Sequence, residues 1–203
     1  MTELQKTENN FLKNMETRWK IAEFYAAADI LPEAFKGKPA NVMIAMEGAE
    51  QLSRANRTIT VNTVMQNSIV VKGKLGYYSK FKIALANTSG KLDKPMEFEV
   101  VHDPNNMSVK AIMVIKGVRH EKIVDIALAK KEGWYARNSK YQSMPDQMLI
   151  YRAASMLIDT VIPEVVFGMQ TSDEIIDVEG QDIVIDKAEP KALTGDIIDE
   201  DLL

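Results

Sequence analysis

Between Pro145 and Ile162 the chain carries an almost unbroken apolar run, Met148, Leu149, Ile150, Tyr151, Ala153, Ala154, Met156, Leu157, Ile158, Val161 and Ile162, bounded by prolines at Pro145 and Pro163. Apolar residues on every face of a helix demand burial on every face, so this segment predicts a central helix around which the rest must pack. Ser143, Pro145 and Asp146 form a helix-start signal that places the beginning near Met144, and Pro163 ends the helix. Arg152 stands in the middle, the single Lys or Arg between Tyr141 and Asp186. A guanidinium is not buried cheaply without a partner. It therefore either meets a fixed carboxylate, with Asp159 and Asp146 as candidates, or points at an anion arriving from outside.

The flanking segments read as helices and short strands. Phe11, Met15, Trp19, Ala22 and Ala26 recur at helical spacing and predict a first helix over Asn10 to Ala28, and Asn41 is expected to cap a second that runs through Leu52. Thr58 to Val64 and Ser68 to Lys72 are rich in β-branched residues and predict a strand pair, with Gly73 and Gly76 bounding a turn. Ser79 opens a third helix to Asn87, with Phe81, Ile83, Ala84 and Leu85 facing inward. Met96 to Val101, Val109 to Ile115 and Lys122 to Ile126 read as strands. Together they predict an α+β fold, a small antiparallel sheet and a β-hairpin packed with helices. The chain divides into a folded domain over 1–177 and an acidic tail over 178–203, expected to be disordered because its Ile and Val pairs are isolated among carboxylates.

Charge is distributed unevenly. From Thr171 to the end there are eleven Asp or Glu against two Lys, whereas Lys72 to Arg152 holds fifteen Lys or Arg against eight Asp or Glu. A basic middle fits a polyanion partner, because neutralising phosphates releases counterions; solvated lysines on an ordinary surface fit the same count. No cysteine occurs among the 203 residues, so disulfides, thiolate metal sites and cysteine nucleophiles are excluded. The two histidines, His102 and His120, have no zinc-ligand spacing. The absence of a GxxxxGK[ST] loop disfavours an ATP-driven motor. A polar N-terminus without a signal core and the lack of a spanning apolar run predict an intracellular protein without a membrane partner.

Two clusters combine cations with aromatics. The first is Lys130, Lys131, Trp134, Tyr135, Arg137, Lys140 and Tyr141; the second is Lys72, Lys74, Tyr77, Tyr78, Lys80 and Lys82. Unpaired bases expose π faces, and interleaved aromatics and cations hold them with little sequence preference. The opposing reading makes Trp134 and Tyr151 core residues, the commoner fate of large aromatics. Gly73-Lys-Leu-Gly76 matches the GxxG with which KH modules clamp a backbone, a pattern also met in ordinary tight turns. Glu97 and Glu99 alternate on one strand and read as a solvent-facing edge, with Mg²⁺-dependent nuclease chemistry as the alternative.

Several of these segments, in order, resemble the RecT family of phage single-strand annealing proteins, related to the phage Redβ recombinases. The resemblance is carried by Arg18-Trp19, Leu31-Pro-Glu-Ala-Phe-Lys-Gly-Lys-Pro-Ala-Asn41 and Val64-Met-Gln-Asn67, by Gly76-Tyr-Tyr-Ser-Lys-Phe-Lys-Ile-Ala-Leu-Ala-Asn87, and by Ala129-Lys-Lys-Glu-Gly-Trp134. It continues through Ser139-Lys-Tyr-Gln-Ser-Met-Pro-Asp-Gln-Met-Leu-Ile-Tyr-Arg-Ala-Ala154 and Pro163-Glu-Val-Val-Phe-Gly-Met-Gln-Thr-Ser-Asp-Glu174. It spans roughly 15–177 and is loosest over Lys91 to Ile126. It implies a bacterial cytoplasmic setting and ATP-independent binding and annealing of single-stranded DNA for recombination, by a ring or helical homo-oligomer without covalent catalysis. No cofactor is required on this reading, and Mg²⁺ would act only as a modulator of DNA binding. It also implies that Lys130, Lys131, Lys140 and Arg152 contact phosphates, with Lys72, Lys74 and Lys82 as further candidates; the cation and aromatic clusters add Trp134, Arg137, Tyr141 and Tyr78 as DNA-binding candidates. A phage exonuclease or a host single-strand binding protein are the expected partners, with the acidic tail as docking motif or internal competitor. The alternatives are a single-strand coat without annealing activity and a KH-like RNA binder.

Overall fold

The structure, a computed structural model, describes residues 3–53, 57–71, 73–103 and 106–179, with side chains over 13–176 of these. Lys72 and the acidic tail from 180 onward lie outside the described residues. The N-terminal helices are α1 (Glu3–Ala26), α2 (Pro39–Leu52) and α3 (Val61–Gln66). Ala22 and Ala26 of α1 are buried, as are Val42, Ala45 and Ala49 of α2, and such small side chains let helix backbones approach closely. Arg18 reaches across to Glu50 at 2.6 Å. Met15 and Trp19, expected on the inner face, are 37% and 41% exposed, so the buried stripe narrows to the alanines.

Two local expectations fail for identifiable reasons. The second helix starts at Pro39, whose missing N–H costs nothing at a first helical position, and Asn41 instead donates Nδ2 to the Ala34 carbonyl at 2.6 Å, tying down the preceding loop. Most of the strand expected over Thr58 to Val64 is α3: Thr60 Oγ1 accepts the Thr63 amide at 3.1 Å, and Val64 and Met65 are fully buried. A cap and two buried side chains outweigh the β-preference of branched residues, which is weak against context.

The hairpin consists of β1 (Ser68–Val71) and β2 (Lys74–Tyr77), antiparallel, with Val71 opposite Lys74. Gly73 takes φ +81° in the turn, while Gly76 lies inside β2 and does not bound it. After α4 (Ser79–Asn87) come β3 (Glu97–Val101), β4 (Ser108–Ile115) and β5 (Val118–Asp125), a meander in the order β3-β4-β5. Ala84, expected inward on α4, is exposed. The β4–β5 turn needs left-handed backbone at Lys116 and Gly117, φ 51° and 76°, and the Asp93 carboxylate accepts both amides at 3.0 and 2.7 Å. Val109, Ala111 and Met113 of β4 and Val124 of β5 are buried. Glu99 is solvent-facing and sits among Lys110 and Arg119, as a surface charge network.

The chain then forms α5 (Ile126–Lys131), α6 (Trp134–Arg137), α7 (Lys140–Ser143), α8 (Pro145–Val161), a 3-10 turn (Pro163–Val165) and α9 (Ser172–Glu179). The central helix is α8, which packs on β4, β5 and α4 and buries Met148, Leu149, Arg152, Ala153, Ala154, Ser155, Leu157 and Ile158. Ser143 does not cap it: Ser143 ends α7, Met144 takes the cap position without a side-chain bond, and Pro145 fills the first turn. The expected domain boundary at 177 falls inside α9. No helix among the described residues is long and apolar enough to cross a membrane.

Candidate nucleic-acid interface

The Glu-Gly-Trp block is a corner between two short helices. Asp125 Oδ1 accepts the Leu128 amide at 2.7 Å and starts α5, and Gly133, φ +74°, turns the chain into α6. This corner seats Trp134 with its ring over α8, where the Arg152 guanidinium carbon lies 4.0 Å from the ring centre. Arg152 is 8% exposed and Trp134 8%. Tyr141, 1% exposed, tilts against Trp134 with ring centres 6.5 Å apart. Trp134 and Tyr141 are therefore core residues, Trp134 lying against Arg152 and Tyr141 against Trp134, and the sequence reading that made them an open stacking surface is corrected. Asp159 holds Lys82 and Asp146 lies 3.5 Å from His102, while Glu174 is a carboxylate on which the Arg152 charge acts.

The other candidates separate by exposure. Lys74, Lys130, Lys131, Arg137 and Lys140 are exposed. Lys130 lies over the Tyr135 ring at 5.3 Å, and Arg137 Nη2 donates to the Glu132 carbonyl at 2.7 Å. Tyr78 is 37% exposed, with Lys80 5.6 Å from its ring centre. Lys82 is the second correction. It is 1% exposed, with Nζ 2.7 Å from the Asp159 carboxylate and 3.4 Å from Glu174, so it is a structural cation and not part of an open groove.

Three cavities run side by side along α8. The first, about 280 Å³, is lined by Tyr78, Lys80, Lys140, Tyr151 and Asp173 among others. The second, about 310 Å³, is lined by Trp134, Arg137, Lys140, Arg152 and Asp173. The third, about 520 Å³, is lined by Trp134, Arg152, Asp159 and Glu174. Lys140 and Asp173 are common to the first two, and Trp134 and Arg152 to the last two, so one depression links α4, α6, α7 and α8. It brings together Tyr78, Arg137, Lys140, Arg152 and Trp134. It does not include Lys74, Lys130 or Lys131, which are placed on other surface.

Sequence reading missed the acidic wall of this depression. Thr171 and Glu174 form a reciprocal capping box, with the Thr171 amide donating to Glu174 Oε2 at 2.7 Å and Thr171 Oγ1 accepting the Glu174 amide at 3.3 Å. The Thr-x-x-Glu spacing was a visible signal, hidden by the acidic composition that follows it. Glu174 Oε1 also accepts from Ser155 Oγ at 2.6 Å. Burial pushes the Glu174 carboxyl upward, but Lys82, the Ser155 and Thr171 hydrogen bonds and Arg152 outweigh it and hold it below the ordinary glutamate range. Asp159 moves the other way: burial and the nearby Glu174 raise it above an ordinary aspartate despite Lys82.

Gly76 explains the GxxG differently from a nucleic-acid clamp. A Cβ at Gly76 would lie 2.9 Å from Ile175 Cδ1 and 3.2 Å from Ser172 Cα, so glycine is there to admit α9. Among the described residues no group of three or more His, Asp or Glu is placed to hold a metal ion. Comparison of the chain with known protein families, with curated proteins and with solved structures returns no match.

Proposed function

We propose that the chain binds single-stranded DNA and anneals complementary strands without ATP, working as a ring or helical oligomer. The observation that carries this reading is the depression along α8, where Lys80, Arg137, Lys140 and Arg152 converge from four elements around Tyr78 and Trp134. The sequence resemblance over 15–177 supports it independently. Cations lining adjoining cavities suit a phosphate backbone, which supplies most of the affinity and leaves bases unread. Arg152, with its guanidinium carbon 4.0 Å from the Trp134 ring centre, is positioned before a phosphate arrives, so little entropy is lost on contact. Annealing then needs no bond chemistry: fixing one strand makes the search by its complement effectively intramolecular.

Binding of a dye-labelled oligonucleotide, followed by anisotropy across a salt series, tests the reading. Affinity should fall linearly on logarithmic axes as salt rises, and single-stranded DNA should outcompete a duplex of equal length. Equal affinity for duplex, or salt-independent binding, contradicts it. A requirement for Mg²⁺ with shortening of the strand would point to a nuclease instead.

A further inference from the structure

We infer that α9 is an internal acidic strap that occupies the candidate polyanion groove and must give way when a polyanion binds. This rests on the proposed function for the identity of the polyanion, while its geometry is independent. Ser172 and Asp173 line the cavity that holds Lys80 and Lys140. Asp173 and Ile176 line the cavity that holds Arg137, Lys140 and Arg152. Glu174 lines the one shared by Arg152 and Trp134. The same short segment thus forms a wall of all three, and it places carboxylates beside the cations that phosphates would seek.

A short set of contacts holds the strap. It is an eight-residue helix, too short to persist alone. Its start is tied down by the Tyr77 amide, which donates to the Gln170 carbonyl at 3.0 Å, and by the Thr171–Glu174 box. Beyond that, Ile175, 1% exposed against Gly76, the 2.6 Å hydrogen bond from Ser155 Oγ to Glu174 and the 3.4 Å contact of Glu174 with Lys82 fasten it. A polyanion competes for the charge part of this attachment, because phosphates can satisfy Arg152, whose charge acts on Glu174, and Lys140, which lines the same cavities as Asp173.

Amide hydrogen exchange on the full chain, alone and with saturating oligo(dT) or heparin, tests the inference. The expected result is exchange of the 172–179 amides accelerated about tenfold or more by either polyanion, while α8 amides keep their protection. Asp173→Asn should also tighten oligo(dT) binding, by about two- to fivefold, as expected for one half-buried repulsive charge in the cavity wall. Binding of either polyanion with α9 protection unchanged or increased overturns the strap and leaves DNA binding standing. Opening by heparin with no oligo(dT) binding keeps the strap and removes the proposed function. Failure to bind both removes the two together.

Discussion

Arg152 lies with its guanidinium carbon 4.0 Å from the centre of the Trp134 ring, a cation on an aromatic face at the heart of the fold. The stack depends on a planar, delocalised charge, which lysine lacks. Arg152→Lys should therefore cost about 0.5–2 kcal/mol of stability despite keeping the charge, and should alter the Trp134 emission. Urea denaturation monitored by fluorescence, with Trp19→Phe as background to remove the other tryptophan, measures it.

Lys82 and Lys140 should respond oppositely to removal. Lys82 is 1% exposed and paired, so Lys82→Met leaves Glu174 and Asp159 without their cation, and unfolding free energy should fall by about 2–3 kcal/mol, discounted because Asp159 is 43% exposed. Lys140→Ala should leave stability within about 0.5 kcal/mol and lower the salt slope of DNA binding by about one. Thermal melts beside salt titrations separate the two.

The glycines of the hairpin make a matched pair. Gly76→Ala puts a methyl against Ile175 and should loosen α9, read as faster proteolysis after Thr171. Gly73→Ala meets no neighbouring atom but sits at φ +81°, so it should cost about 1 kcal/mol without exposing α9.

Acid should act on the Glu174 attachment from below the usual carboxylate range. Glu174 is held under the ordinary 4.5, so its stabilising contribution is complete above that pH and lost as pH falls through its lowered value. Asp159, raised above the ordinary 3.8, has the opposite sign: the folded state takes up its proton more readily, and acid relieves its desolvation. Carboxyl titration by NMR should show Glu174 titrating below 4.5 and Asp159 above 3.8, and Lys82→Met should move Glu174 upward. An upward-shifted Glu174 in the unaltered chain would contradict this.

How much of this was legible in the sequence depends on how local each cause is. The β3-β4-β5 meander and α8 were readable because alternation and an all-round apolar run need only neighbours in the chain. α3 was misread because a Thr cap and two buried residues decide it against the branched residues' preference. The burial of Lys82 was not readable at all, since Asp159 and Glu174 lie 77 and 92 residues away. Trp134 and Arg152 were both singled out, but their contact, in which one positions the other, is a tertiary fact. The Thr171–Glu174 box has a local Thr-x-x-Glu spacing, which the run of carboxylates that follows it obscures.

The most direct test of the central claim is the rate at which two complementary, dye-labelled oligonucleotides anneal in the absence of ATP, measured by energy transfer with the unaltered chain and with Lys140→Ala. The account predicts acceleration by the unaltered chain and a clear loss with the variant at unchanged circular dichroism. Binding of both strands without acceleration would contradict annealing and leave a single-strand coat.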